Sequence, residues 1–191
     1  SGEGDSVLVQ NYIYNSDQVL ADWEEEIRET WSMITSFSSL LMDYPFSREK
    51  YGHAMAPMGG GMEHQTMTTV LQRWWSGNKA YEGGFVHELA HQWWGHQITP
   101  NNTRGSNLIS EALAEFSALI LSEREYGKDN MKRFLRDELD DYLRGRSGEG
   151  KKENVFVNCN RPYQWYNKGS LILYGLRDLI GEQAMDSALY K

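Results

Sequence analysis

A run of hydrophobic residues at helical spacing dominates the first part of the chain. Six positions recur at intervals of three and four residues and mark one face of an amphipathic helix that ends before Pro45. These positions are Trp23, Ile27, Trp31, Ile34, Phe37 and Leu41. We expect this face, aromatic residues included, to lie in the core. Asp17 is placed to cap the helix, and residues 1–16 alternate weakly, which predicts a short strand or an extended arm.

Two short segments after this helix have the pattern of strands. Residues 51–55 predict one strand, and residues 65–71, which mix Thr, Met and Val, predict an edge strand that could pair with an extended peptide. The glycines at 59–61 lie between these segments. They permit a positive φ or a close approach of the backbone to a ligand or to another strand. A plain glycine turn in a hairpin is the alternative.

The rest of the chain has mainly helical patterns. Helices are predicted over residues 85–95, 108–126, 128–144 and 163–180, with glycines 95 and 181 ending the first and the last, and a further helix beyond. The helix at 128–144 should bury one apolar face, which consists of Met131, Phe134, Leu135, Leu139 and Tyr142. Residues 145–154 are charged and contain glycines, which predicts a mobile tip before a short strand at 154–158.

Composition narrows the class of protein. The length of 191 residues suits one domain or a piece of a larger protein. A net charge of −8 argues against a nucleic-acid partner, and the acidic runs at 22–29 and 137–141 are read as solvated helix faces. A single cysteine excludes an internal disulfide, and no apolar run is long enough to span a bilayer.

The sequence His87-Glu88-Leu89-Ala90-His91 has the chemistry of a metal site. Histidines at i and i+4 lie on one helix face and can converge on one zinc ion, while the adjacent Glu88 can reach a water at that ion. Two imidazoles leave zinc under-ligated, so a third protein ligand should follow. Glu111 is the best candidate. The alternative is a pair of histidines that satisfy each other by hydrogen bonds in the core.

Other titratable residues have weaker claims to the site. Glu115 lies one turn after Glu111, where it is either a partner that orients a ligand histidine or a solvated helix carboxylate. His53, His64 and His96 lack ligand spacing and are interpreted as structural or surface residues.

Three segments together resemble one enzyme family. The HELAHQWWG segment, followed by a glutamate that begins a helix, resembles the gluzincin zinc aminopeptidases, which include alanyl- and leucyl-aminopeptidases and leukotriene A4 hydrolase. Residues 60–64, Gly-Gly-Met-Glu-His, are similar to the G-x-M-E-N exopeptidase motif of that family. Residues 166–169, Tyr-Asn-Lys-Gly, are similar to its Y-x-K-G segment. The chain is most similar to a bacterial branch in which the peptidase segment is often attached to membrane-embedded regions. We therefore expect the full protein to be associated with a membrane.

The resemblance implies a fold and an activity. The fold would be α+β and thermolysin-like, with a small mixed sheet that has an edge strand at the cleft and packs on several helices. Residues 1–191 would be the catalytic domain of a larger protein, with 1–16 as an extended arm. The activity would be hydrolysis of the N-terminal bond of peptides with a free N-terminus, by a zinc-activated water.

The resemblance also implies a role for each site residue. His87, His91 and Glu111 would bind one zinc ion, and Glu88 would be the general base. The remaining roles concern the substrate: Tyr166 would stabilise the oxyanion, Glu63 would hold the free α-amino group, and the backbone of Gly60, Gly61 and Met62 would contact the peptide.

The chain departs from the family pattern at three points. His64 and Ser110 stand where the family usually has asparagine, and the spacing from His91 to Glu111 is one residue longer than usual, which predicts a bulge in the loop between them. Two other functions remain open at this point. One is a metallo-endopeptidase, and the other is a non-catalytic binding module that is stabilised by zinc.

Overall fold

The computed structural model describes residues 6–14, 17–75, 82–101 and 104–190. Within these ranges, the side chains of residues 17–27, 75 and 82 lie outside the description, and so the predicted core positions Trp23 and Ile27 do too. The chain divides into two compact units, Ser1–Trp93 and Trp94–Lys191.

A four-stranded mixed sheet organises the first unit. Its strands are β1 (Val9–Tyr12), β2 (Tyr51–Ala56), β3 (Gly61–Met62) and β4 (Thr68–Leu71), in the order β1-β2-β4-β3. The β1–β2 and β2–β4 pairs are parallel, and β3 runs antiparallel to β4. The prediction that residues 65–71 form an edge strand is therefore wrong. The glycine run turns the chain back so that β3 pairs with β4 and becomes the edge itself.

The first strand lies very close to its neighbour. Gly52 on β2 is paired with Gln10 on β1, and a Cβ atom at Gly52 would lie 1.7 Å from the Gln10 carbonyl oxygen. No side chain fits between the two backbones at this position. The weakly alternating N-terminal segment is thus a strand of the sheet at residues 9–12.

Helix α1 (Asp17–Leu40) packs one stripe into the core of the first unit. The buried stripe runs through Thr30, Met33, Ile34, Phe37 and Leu41. Trp31 is 43% exposed, so its predicted place in the core is wrong. The stripe passes through the neighbouring Thr30, one residue earlier in the helix, and this rotation leaves the larger indole at the solvent side.

The second unit is built from helices. Helix α3 (Leu113–Tyr126) is buried along most of its first half, and α4 (Met131–Ser147), α5 (Gly169–Ile180) and α6 (Glu182–Leu189) follow it. Gly127 and Gly181 end α3 and α5 with positive φ angles of 80° and 92°. The apolar face predicted for α4 is confirmed in part: Met131 is buried and Phe134, Leu135 and Tyr142 are partly buried, whereas Leu139 is 43% exposed.

The segment after α4 is tied to later residues and does not form the predicted strand. Its two glutamates are held by the residues that follow: Glu149 pairs with Arg161 at 2.9 Å, and Glu153 pairs with Lys168. The expected strand at 154–158 is a short 3-10 turn, Phe156–Asn158. Among the residues described, no helix combines the length and the apolar character needed to cross a bilayer.

A buried polar chain crosses the sheet at His53. The ring Nδ1 lies 3.0 Å from Asn11 Oδ1, the ring Nε2 lies 3.4 Å from the Tyr51 hydroxyl, and that hydroxyl lies 2.9 Å from Thr68 Oγ1. Burial lowers the pKa of His53 from its usual value of 6.5 to about 3. The imidazole is therefore neutral across the physiological range, which confirms the interpretation of His53 as a structural histidine.

We expect His53 to make the fold sensitive to acid. Because its pKa is lower in the folded chain than in the unfolded chain, its contribution to stability is complete above pH 6.5 and is lost progressively as the pH falls toward 3. From pH 7 to pH 5, the free energy of unfolding should fall by about 2 kcal/mol more in the wild type than in His53→Gln. Urea unfolding at both pH values measures this difference, and equal losses in the two proteins would contradict it.

Candidate metal centre

Helix α2 (Glu82–Ala90) carries the histidine pair and is fixed by burial. Phe85 packs with Met55 and Val70 of the sheet in one hydrophobic cluster. The helix ends at Ala90 rather than at the predicted Gly95, because residues 91–93 continue as tight turns in which the Trp93 amide donates to the Ala90 carbonyl at 3.0 Å. His91 thus lies one residue past the helix, and its backbone still follows the helical path closely enough to face His87.

The two imidazoles converge. His87 Nε2 and His91 Nε2 lie 3.1 Å apart, and both side chains are buried. Two nitrogen ligands at about 2.0–2.1 Å from a tetrahedral zinc ion are separated by roughly 3.3 Å. The observed separation fits a shared zinc ion.

The aromatic residues after His91 anchor this segment. The Trp93 ring lies 5.4 Å from the Phe37 ring and 5.7 Å from the Tyr44 ring, and its indole N–H donates to the Met42 carbonyl at 3.0 Å. A fully buried indole with its one donor satisfied resists rotation. The end of the zinc-binding segment is thereby fixed against α1.

Glu88 lies against the glycine run. Its carboxylate is buried, and a Cβ atom built on Gly61 would lie 2.4 Å from Glu88 Oε1. Gly61 is therefore required because α2 places a carboxylate in the space that any side chain at position 61 would occupy. The close approach of the Gly61 backbone is made to the carboxylate of the candidate general base, and not to a ligand or to another strand as predicted. Gly60, by contrast, has open space around it and a φ of 90°.

Sequence reasoning missed Gln92, which connects the metal segment to the candidate substrate residues. It is fully buried; its Oε1 accepts from the Thr66 amide at 2.8 Å, and its Nε2 donates to the Glu63 carbonyl at 3.2 Å. Glu63 is half-buried beside β3, and Met62 is 41% exposed. The signal in the sequence was a glutamine directly after a ligand histidine, but its partners lie nearly thirty residues away and could not be read from local spacing.

His64 lies at the surface. It is exposed, and its Nδ1 lies 3.1 Å from Thr69 Oγ1. This confirms the interpretation of His64 as a residue outside the ligand set.

In the second unit, Glu111 lies on a π-helical turn, Leu108–Ala112, which leads directly into α3. A π turn closes over five residues instead of four, so the longer spacing to Glu111 is accompanied by a wider turn at the ligand itself. His87 and His91 of the first unit and Glu111 of the second are the three ligands that the sequence predicts. Two imidazoles and one carboxylate, with a fourth position left open, are a donor set of catalytic zinc. The residues present therefore fit that metal.

Tyr166 also lies on a π-helical turn, Gln164–Lys168, which leads into α5. The residue is half-buried. The next residue, Asn167, donates from Nδ2 to Glu138 Oε2 at 2.9 Å, and Ser170 Oγ donates to the same oxygen at 3.3 Å. The segment that carries the candidate tyrosine is thus tied to α4.

Glu115 has a carboxylate neighbour on α4 that its spacing did not suggest. It is half-buried and shares a hydrogen bond with the Glu138 carboxyl. Burial, followed by the charge of Glu115, raises the pKa of Glu138 to about 7.

Solved structures of metallopeptidases have the same fold. An M1 zinc metallopeptidase from Deinococcus radiodurans is 26% identical, with a TM-score of 0.65 over 85% of this chain and 35% of its own. Native leukotriene A4 hydrolase from yeast has a TM-score of 0.76 over 95% of this chain and 30% of its own; at 17% identity, it shows a likeness of fold alone. The fold and the donor set together are those of a zinc metallopeptidase.

The family model for the peptidase family M1 domain matches residues 26–191, and the chain belongs to that family. Zinc is accordingly its cofactor, and the predicted α+β fold with a mixed sheet and the predicted family are confirmed. The bacterial neighbour agrees with the predicted bacterial branch. A comparison with curated proteins gives no match. The chain spans about a third of the length of the solved structures it resembles, 35% and 30% of the two above.

We expect one equivalent of zinc per chain, bound through the predicted ligands. His91→Ala should weaken zinc binding by more than the roughly 10–100-fold that the loss of an outer partner costs, because it removes a direct ligand. His64→Ala is the matched control and should leave the zinc affinity unchanged, since His64 is exposed to solvent and its ring contacts Thr69. Competition with a coloured chelator measures both affinities. Equal affinities in the two variants would remove His91 from the ligand set.

Proposed function

We propose that this chain is the catalytic part of a zinc aminopeptidase, which removes the N-terminal residue from peptides. The observation that carries the proposal is the pair of buried imidazole nitrogens 3.1 Å apart, on the segment whose Glu88 carboxylate is buried against Gly61. A buried carboxylate next to a zinc-binding pair serves no packing purpose and is suited to proton transfer. Membership of the M1 family supports the same reaction class.

The residues that would hold the metal are His87, His91 and Glu111. Zinc supplies Lewis acidity at this position, which polarises a carbonyl and makes water acidic near neutral pH. Glu88 would accept the proton of the attacking water and deliver it to the leaving amine. The Glu88 carboxylate lies against the backbone of Gly61, which supports a proton acceptor that is in position before the substrate arrives.

Tyr166 would donate a hydrogen bond from its hydroxyl to the carbonyl oxygen of the scissile bond as that oxygen becomes negative. The loss of one such donor typically costs about 100–1,000-fold in kcat. The ties from Asn167 and Ser170 to Glu138 support this role, because a donor that must already be in place requires a fixed backbone.

Selectivity for N-termini would come from Glu63. A carboxylate favours an ammonium group through a charge-assisted hydrogen bond. Gln92 holds the Glu63 backbone from the metal segment, which supports a fixed distance between the amine site and the catalytic centre. The edge strand β3 supports contacts of Gly60, Gly61 and Met62 with the substrate backbone, since an edge strand has free amide and carbonyl groups.

The test compares an aminoacyl anilide with the same compound acetylated on its amine, using zinc-loaded protein and Glu88→Ala as the inactive background. We expect the free amine to be hydrolysed and the blocked one to be at least about a hundredfold slower, because Glu63 would be left without its cation. Glu63→Ala should abolish most of this preference. Equal rates for the two compounds would identify an endopeptidase instead. Zinc binding without hydrolysis of either would identify a non-catalytic module.

The contact between Gly61 and Glu88 generates a second prediction. Gly61→Ala should lower kcat by about a hundredfold, because the new methyl group displaces the Glu88 carboxylate, while zinc stays bound. Gly59→Ala is the matched control in the same run, since nothing lies within 4 Å of its missing Cβ, and it should keep its activity. Steady-state kinetics and zinc content decide the outcome. A Gly61→Ala enzyme as active as Gly59→Ala would show that the contact does not position the base.

A further inference from the structure

Two π-helical turns lie in the second unit, and each carries a residue of the proposed mechanism. Leu108–Ala112 contains Glu111 and leads into α3, and Gln164–Lys168 contains Tyr166 and leads into α5. The two turns are in contact with each other. π turns are uncommon and are frequent at functional sites, where they change the direction of a side chain without ending a helix.

Gly169 makes a close approach between these two segments. It is buried directly after the second π turn, and a Cβ atom on it would lie 2.5 Å from Ala112 Cβ and 3.3 Å from Phe156 Cζ. Ala112 is fully buried and follows Glu111 in the chain. Real Cβ atoms do not approach to 2.5 Å, so any side chain at position 169 would push the two segments apart.

The backbone of Gly169 gives no other reason for a glycine. Its φ and ψ are −61° and −52°, ordinary helical values that every residue adopts. Glycine in a helix costs about 1 kcal/mol relative to alanine. The sequence therefore keeps a residue that is unfavourable for α5, and the contact with Ala112 is the feature that requires it.

The Tyr166 segment is also held by contacts with two glutamates. Glu138 accepts hydrogen bonds from Asn167 and Ser170, and Lys168 forms an ion pair with Glu153. These contacts fix the shape of the segment around Tyr166. The contact of Gly169 with Ala112 then fixes its distance from the Glu111 turn.

We propose that Gly169 is a positioning residue: by bringing no side chain to the contact with Ala112, it sets the spacing between the Tyr166 turn and the Glu111 turn. This inference rests on the proposed function, in which Glu111 binds zinc and Tyr166 contacts the substrate carbonyl. A side chain at position 169 disturbs both residues together.

The test measures zinc affinity, kcat, KM and unfolding for three variants of the full chain. Gly169→Ala should weaken zinc binding by roughly 10–100-fold and lower kcat by about a hundredfold with little change in KM, because both displaced groups act on the metal or the transition state. Gly175→Ala is the matched control on the same helix. Nothing lies within 4 Å of its missing Cβ, so it should keep wild-type kinetics.

The double variant Ala112→Gly with Gly169→Ala separates positioning from stability. Removing the Ala112 methyl group makes room for the new one, and both kcat and zinc affinity should recover most of their loss. Its stability should remain below that of the wild type, because glycine at position 112 is unfavourable in a helical turn. A role in stability alone would lower the stability of Gly169→Ala but would leave the kcat and the zinc affinity of its folded form at the wild-type values.

Each outcome decides the inference. Wild-type kinetics and zinc affinity in Gly169→Ala would overturn it, and so would a folded double variant that recovers neither quantity. If Gly169→Ala does not fold, the folded double variant decides alone, and if neither folds, Gly169 serves stability only and the inference is wrong. A wild-type chain that binds zinc without hydrolysis would refute the proposed function, while the zinc affinities of the variants would still test the positioning role.

Discussion

The approach of two buried imidazoles to each other is the constraint on which the first unit depends. With the Nε2 atoms 3.1 Å apart, both rings cannot direct N–H bonds at each other, so a cation or a single shared proton must lie between them. The sheet and the helices hold this arrangement in place. Phe85 packs one end of α2 on the sheet, and Trp93 packs the other end of the segment on α1. Packing of the core therefore positions the pair. Most of the conformational entropy of these two side chains is lost on folding and not on binding of the metal.

The two units use glycine in the same way at their functional residues. Gly61 leaves space for the Glu88 carboxylate in the first unit, and Gly169 leaves space for Ala112 beside Glu111 in the second. In neither unit does the glycine form the bond or carry the charge. Because packed interiors are stiff, the absence of one methyl group fixes a distance as firmly as a hydrogen bond does. Such positions are easily overlooked when only polar side chains are considered.

The sequence predicted local relations better than contacts between distant segments. The pairing of His87 with His91 could be predicted from the sequence because their relation is local, one helical turn. Strand order is not local, so the edge strand was assigned to residues 65–71 when the pairing of β3 with β4 makes β3 the edge. Periodicity predicted the helix at 131–147, but it does not show which elements pack on the apolar face of that helix. The exposure of Leu139 could therefore not be predicted. Gln92 could not be found at all, since its hydrogen bonds reach residues 63 and 66 across the fold.

The parallel pairing of β1 with β2 has a consequence for how quickly the molecule folds. Parallel neighbours need a crossover, and here the crossover contains the whole of α1, so that Gln10 meets Gly52 only after about forty residues have been ordered. Such distant contacts recover little free energy until the chain between them has lost its entropy, which slows the search for the native state. Helices of the second unit form from local contacts and face no comparable delay. During synthesis or refolding, the sheet is thus the element that forms slowly. The histidine pair that it supports is not in place for a metal ion until the strands have paired.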